Sequence, residues 1–197
     1  MVYVELRFPL TGAALPCDHG RAIFRAISRL VPEAASADWL LVKAMRGASR
    51  SGGAMQEVSP ARLRMRLPQG RVSLMLGLAE RRLQVGSHQV RLGTPEISLL
   101  HPCPSLYARC VAINGCTKPE AFLDALCWRL DEMAVACEIE VGRRRQFRAG
   151  RRSITGFALT LHELGDEDSL ALQEQGLGSH RHLGCGFFVP ALKCCPS

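Results

Sequence analysis

Lysine is nearly absent from this strongly basic chain. Of its 25 Lys and Arg residues only Lys43, Lys118 and Lys193 are lysines, against a formal net charge of +7. A surface made basic for solubility alone uses lysine freely, whereas the planar guanidinium of arginine matches phosphate in a bidentate fork. Aromatic residues are also scarce, with two Trp, two Tyr and seven Phe in 197 residues, which argues against a ligand site built on stacking. No apolar run approaches transmembrane length, and Glu5 and Arg7 interrupt the start where a signal peptide needs an apolar stretch. Cys-x-x-Cys pairs are missing too. The nine cysteines (Cys17, Cys103, Cys110, Cys116, Cys127, Cys137, Cys185, Cys194 and Cys195) are odd in number and irregular in spacing. They read as reduced, mostly buried thiols of a cytoplasmic protein rather than a disulfide framework.

What the chain has in concentrated form is glycine and arginine near the C-terminus. Gly176, Gly178, Gly184 and Gly186 surround His180-Arg181-His182, and the run then enters the apolar Phe187-Phe188-Val189. Basic side chains among such glycines predict a phosphate-contacting loop, because exposed N–H groups in turns make anion-binding nests. A dinucleotide fingerprint fails on context, since it requires a preceding strand, a following helix and a later acidic residue. His180, His182 and Cys185 imitate a zinc cluster but lack a fourth ligand at regular spacing. A second concentration is Arg143, Arg144, Arg145, Arg148, Arg151 and Arg152. Six guanidiniums so close repel one another, and a bound phosphate backbone relieves that repulsion while releasing counterions.

Periodicity supplies the architecture. Val4, Leu6 and Phe8 alternate with Tyr3, Glu5 and Arg7 as in a half-buried strand. Asp18 is a candidate cap for a helix bearing Ile23, Phe24, Ile27 and Leu30 on one face, ended by Pro32. A strand over 39–45, a Gly/Ser-rich loop near 47–53, and a strand with Leu63, Met65 and Leu67 opposite Arg62, Arg64 and Arg66 follow. A short helix over 72–78 and extended segments at 82–85 and 89–92 close the half. The second half predicts a strand at 106–113 and a helix at 118–133, with Phe122, Leu123, Leu126, Leu130 and Met133 inward. Two strands at 138–147 and 154–162 are joined by the arginine-rich turn, then come a helix at 166–173 and a strand at 185–189. Each half approximates β-α-β-β-α-β, so the fold class expected is α+β, two tandem ferredoxin-like (RRM-like) units with a C-terminal glycine-rich loop. The proline-rich His101 to Pro104 marks the seam, giving domains 1–102 and 103–197.

These features together carry a resemblance. Gly176 to Pro190 is similar to the C-terminal glycine-rich motif of the CRISPR-associated endoribonucleases that cut precursor CRISPR RNA within its repeats, the Cas-six family of the RAMP superfamily. Phe8-Pro9, Pro16-Cys17-Asp18-His19-Gly20 and Leu30-Val31-Pro32 resemble the N-terminal block of one branch of that family. The resemblance implies in-line attack by the ribose 2′-hydroxyl on the adjacent phosphate, giving a 2′,3′-cyclic phosphate and a 5′-hydroxyl without metal or other cofactor. It implies a partner that is a CRISPR-repeat stem-loop, retention as a subunit beside other effector proteins, and no membrane. It also makes His19 the candidate catalytic residue, since His19 matches the position of a catalytic histidine in many members. Histidine suits either proton-transfer role, and a helix start favours an approaching phosphate.

The remaining roles stay open. A second catalytic residue is not singled out among Tyr3, Tyr107, Ser179, Arg21, His180 and His182. His88 and His101 read as structural and His162 as solvent-facing. RNA contacts are expected from the six hairpin arginines, from His180, Arg181 and His182, and from Gly176, Gly178, Gly184 and Gly186. A-form stems hide their base edges, so arginine contacts to phosphates and 2′-hydroxyls suit them better than aromatic platforms. The rival readings are a non-catalytic RNA-binding subunit of the same effector, a basic nucleic-acid-binding protein unrelated to CRISPR, and a zinc enzyme.

Overall fold

The strand Tyr3–Gly12 (β1) organises the first half. A computed structural model describes residues 1–12, 19–43, 62–149 and 152–191. Val4, Leu6 and Phe8 are buried on one face of β1, as the period-2 alternation requires. Against that face lies the helix Gly20–Leu30 (α1), which contributes Ile23, Ala26 and Ile27. Leu30, expected inward, is 45% exposed; it falls at the last turn, just before the chain is redirected. Pro32 opens a 3₁₀ turn, Pro32–Ser36, and the extended ψ of Val31 is what a following proline imposes. Asp18, the expected cap, lies outside the described residues, and His19 occupies the cap position.

Strands Leu41–Lys43 (β2), Arg62–Pro68 (β3), Arg82–Val85 (β4), His88–Leu92 (β5) and Glu96–Leu99 (β6) complete the sheet, with a short helix Val72–Leu76 (α2) between β3 and β4. The hydrogen-bonded order is β2-β3-β1-β5-β4. Strand β6 pairs with β1 alongside Val4–Arg7, while β5 takes its end at Leu10–Gly12. Strand β6 lies outside the expected elements: its apolar Ile97 and Leu99 are 51% and 59% exposed, so it buries no apolar face of its own.

The other face of this sheet differs from expectation. Register sets Glu5 opposite Arg66 and Arg7 opposite Arg64, and the strand read as strongly basic does not leave those arginines in water. Glu5 and Arg66 are both 1% exposed. Glu5 accepts hydrogen bonds from Arg64 Nε and Nη2 at 2.7 Å each, from Arg7 Nε at 2.7 Å and from Arg66 Nε at 3.0 Å. Burial alone would raise the Glu5 carboxyl, but the hydrogen bonds from Arg64 and Arg7 and the charges of Arg66 and Arg64 lower it to about 2. Burial brings Arg66 down to about 10 despite Glu5.

The second half forms a four-stranded antiparallel sheet of order β10-β7-β9-β8, built from Leu106–Val111 (β7), Glu138–Ala149 (β8), Arg152–His162 (β9) and Phe188–Pro190 (β10). Helices Pro119–Glu132 (α3) and Asp166–Gln175 (α4) follow β7 and β9. Phe122, Leu126 and Leu130 of α3 join Leu106, Phe157, Leu159, Leu161, Leu172 and Phe188 in the core. Leu123, expected inward, is 40% exposed, one residue off the four-residue repeat that faces the sheet. Acidic Asp166, Glu167 and Asp168 occupy the first turn of α4, where the helix dipole favours them. Ser169 and Gln173 of α4 are buried and tie down the preceding segment: Cys103 N–H donates to Ser169 Oγ at 2.8 Å, and Gln173 Nε2 donates to the His101 carbonyl at 2.8 Å.

The architecture is therefore mixed α and β with two antiparallel sheets. Two compact units result. One holds Met1–Leu99 with Arg148–Arg152 and His182–Gly184, and the other holds the rest of the chain from Leu100. Among the described residues no helix is long and apolar enough to cross a membrane.

Candidate functional site

The glycine-rich run is an irregular loop pinned to β7. Gly178 has φ +80°, and a side chain there would collide with the Ala112 carbonyl; Ser179 N–H donates to that same carbonyl at 2.7 Å. Gly186 has φ +63°, with the Leu177 carbonyl where a Cβ would sit, and its N–H donates to the Cys110 carbonyl at 2.8 Å. At both positions glycine is required by the backbone angle and by the approach of another main chain. Gly176 and Gly186 are buried and Gly178 and Gly184 half-buried, so the surface that the loop offers comes chiefly from His180, Arg181 and His182, all half-buried. His180 itself has φ +60°, a conformation uncommon outside glycine. Arg181 Nη1 donates to the Gln175 carbonyl at the end of α4.

Within the first unit, the middle of that loop meets the start of α1. A Cβ added to Gly20 would stand 2.8 Å from the Leu183 carbonyl oxygen, so the helix begins directly beneath the loop. The His182 ring lies 4.6 Å from the Phe24 ring, one turn along the same helix. His19, at the cap position, accepts the Ile23 N–H on its carbonyl at 2.9 Å and is 2% exposed. Thus residues from two sequence blocks more than 160 positions apart meet at one helix end. His180 belongs to the other unit.

Arg143, Arg144 and Arg145 stand on a strand as expected, and the strands run further than expected: β8 extends to Ala149 and β9 starts at Arg152, so Arg148 and Arg152 also stand on strands rather than in the turn. Backbone pairing continues because arginine's long stem leaves its charge in water while the main chain keeps its ladder. Arg143, Arg144, Arg148 and Arg152 are exposed and Arg145 is half-buried, while Arg151 lies outside the described residues. Gln146 Nε2 donates to Ser153 Oγ at 2.9 Å across the hairpin. Arg148 and Arg152 group with the unit that carries His19.

Cys110 and Cys185 were separated by 75 positions of sequence and nothing in their spacing linked them. Both are buried, and the Cys185 thiol donates to Cys110, which lowers Cys110 and, with burial, raises Cys185. Cys185 is thus buried and paired with Cys110 at the end of the loop. Among the described residues no three His, Cys, Asp or Glu side chains gather in a metal-binding group, so His180, His182 and Cys185 do not converge as the zinc imitation suggested. His162, expected to face solvent, is half-buried: its Nδ1 lies 3.1 Å from Ser105 Oγ and its Nε2 3.4 Å from Glu140. Tyr3, Tyr107 and Ser179 are half-buried and Arg21 exposed.

The family model for CRISPR Cas6 matches residues 4–193. The CRISPR-associated endonuclease Cas6 of Myxococcus xanthus (strain DK1622) is 37% identical over 190 residues, covering 96% of this chain and 82% of that protein. Among solved structures, a CRISPR-associated protein Cas6 superposes with a TM-score of 0.69 at 11% identity over 96% of this chain and 100% of its own. A RAMP protein described as binding different RNA substrates gives 0.70 at 13% identity, over 94% and 98%. These two likenesses carry the fold. With the family model spanning nearly its whole length, this chain belongs to the Cas6 family of CRISPR-associated proteins.

Proposed function

We propose that the protein is an endoribonuclease that cleaves precursor CRISPR RNA within its repeats, without metal, by attack of the ribose 2′-hydroxyl on the scissile phosphate. The products are a 2′,3′-cyclic phosphate and a 5′-hydroxyl. His19 transfers a proton at one of the two oxygens, and the hairpin and loop cations hold the repeat stem through its phosphates. The chain acts in the cytoplasm and stays on the cleaved stem beside other effector subunits. The observation that carries the reading is the meeting of the His19–Gly20 helix start with His182–Gly184 of the glycine-rich loop, which gathers a histidine, a helix N-terminus and a second imidazole. Family membership and a relative named as an endonuclease support it. Cys103, Cys110, Cys116, Cys127, Cys137 and Cys185 form no disulfide, in keeping with a reducing compartment.

The two halves, divided near His101–Pro104, are read as tandem ferredoxin-like units. What supports this is the order β2-β3-β1-β6 around the first helix and β10-β7-β9-β8 in the second, the arrangement that a β-α-β-β-α-β chain produces. The hairpin β4–β5 is an insertion on that plan.

The burial of His19 favours a second reading, a non-catalytic RNA-binding subunit. An imidazole 2% exposed reaches RNA only if the residues covering it move. Repeat cleavage by the unaltered protein and by His19→Ala, measured side by side, separates the two. The nuclease reading predicts a fall in cleavage of about 10²-fold or more with repeat binding retained. The subunit reading predicts that the unaltered protein binds the repeat and cuts nothing.

A further inference from the structure

The helix that starts at His19 carries a charged stripe that none of the assignments above uses. Arg21, Arg25 and Arg29 recur every fourth residue along α1 and all are exposed, on the side away from buried Ile23, Ala26 and Ile27. Each step of four advances the direction by about 40°, so the three guanidiniums form one stripe about 12 Å long. No acidic residue occurs anywhere in Gly20–Leu30. Like charges four apart destabilise a helix, and α1 contains two such pairs. Arg21 also stands in the first turn, where the helix dipole disfavours a cation. A helix shaped by stability alone would hold Glu at one of these positions.

A bound polyanion removes that conflict. We propose that Arg21, Arg25 and Arg29 form a track for the phosphate backbone of the repeat RNA, leading along α1 from its start at His19. This rests on the proposed reading of the chain as a repeat-RNA nuclease. Two features select RNA phosphates over an acidic protein segment. The stripe is all arginine, the residue suited to bidentate phosphate contact. The stripe also shares its compact unit with Arg148, Arg152 and His182, which are candidate RNA contacts on independent grounds.

The test exploits opposite signs. Arg25→Glu inserts an acid four residues from both Arg21 and Arg29, so helix electrostatics improve while the track is broken. Affinity for the cognate repeat, measured by fluorescence anisotropy across a salt series, is expected to fall at least about tenfold. The slope of log K against log salt should fall by about one or more, and the melting temperature should hold or rise. Arg25→Gln should show a smaller loss in the same direction. Unchanged affinity and salt slope in both variants, with the unaltered protein binding and cutting the repeat, would overturn the track and leave the nuclease reading standing. Failure of the unaltered protein to bind the repeat would overturn both.

Discussion

Glu5 stands inside a basic protein with three arginines closed around it. The sequence shows why a strand forms there, because Val4, Leu6 and Phe8 alternate with polar residues, but alternation treats all polar positions alike. It does not tell an arginine facing water from one such as Arg66, 1% exposed on a buried carboxylate. Only the register, Glu5 opposite Arg66 and Arg7 opposite Arg64, brings the charges together. A carboxyl lowered to about 2 from its ordinary 4.5 contributes roughly 3 kcal/mol to folding at neutral pH. Because the folded value is the depressed one, that contribution is complete above pH 4.5 and is lost as the pH falls towards 2. Glu5→Gln leaves Arg66 buried without its counter-charge and should cost about 3–5 kcal/mol near neutrality. Urea unfolding of both proteins at several pH values checks this, and the gap should narrow steadily below about pH 4. A gap that is constant with pH would mean that packing, not charge, makes Glu5 matter. His19 makes the same point for the site: its residue type and resemblance singled it out, while its burial, at 2% exposed, was not legible in the sequence.

Among the elements, the periodic ones were legible, and so were the short β4, β5 and α2, but β6 was not. α1, α3 and β9 followed their apolar spacing, whereas β6 buries no apolar face of its own and owes its strand state to pairing with β1. The arginine hairpin was read as strands 138–147 and 154–162 with a turn between, and ladder pairing extends them two residues further on each side, to Ala149 and from Arg152. In the glycine-rich loop the motif was plain from sequence, but its glycines were read as openings for a ligand. At Gly178 and Gly186 the space belongs instead to the protein's own carbonyls. Two substitutions separate backbone angle from crowding. Gly86 has φ +64° with nothing within 4 Å, and Gly186 has φ +63° against Leu177. Gly86→Ala should therefore cost only the left-handed conformation, about 1–2 kcal/mol. Gly186→Ala should cost distinctly more and depress repeat cleavage, because the loop must leave β7. Equal melting temperatures for the two variants would contradict this account of the loop.

For the whole molecule, a net charge of +7 and arginine in place of lysine already pointed to a phosphate-rich partner. The order of elements conveyed two sheets with helices. What no linear reading conveys is that Arg148–Arg152 and His182–Gly184 cluster with the first unit although the second half of the sequence supplies them. The candidate site is made from this interleaving, so it is a property of the folded chain rather than of either half. The claim at this scale is that the assembled protein cleaves repeat RNA through the 2′-hydroxyl alone. The direct measurement is cleavage of a labelled cognate repeat in excess EDTA, with and without a single 2′-deoxy substitution at the scissile nucleotide, and with the product ends identified by mass. The account predicts full cutting in EDTA, a 2′,3′-cyclic phosphate end, and no cutting of the deoxy substrate. Cutting that EDTA abolishes, or a deoxy substrate cut as fast as the ribose one, would contradict it.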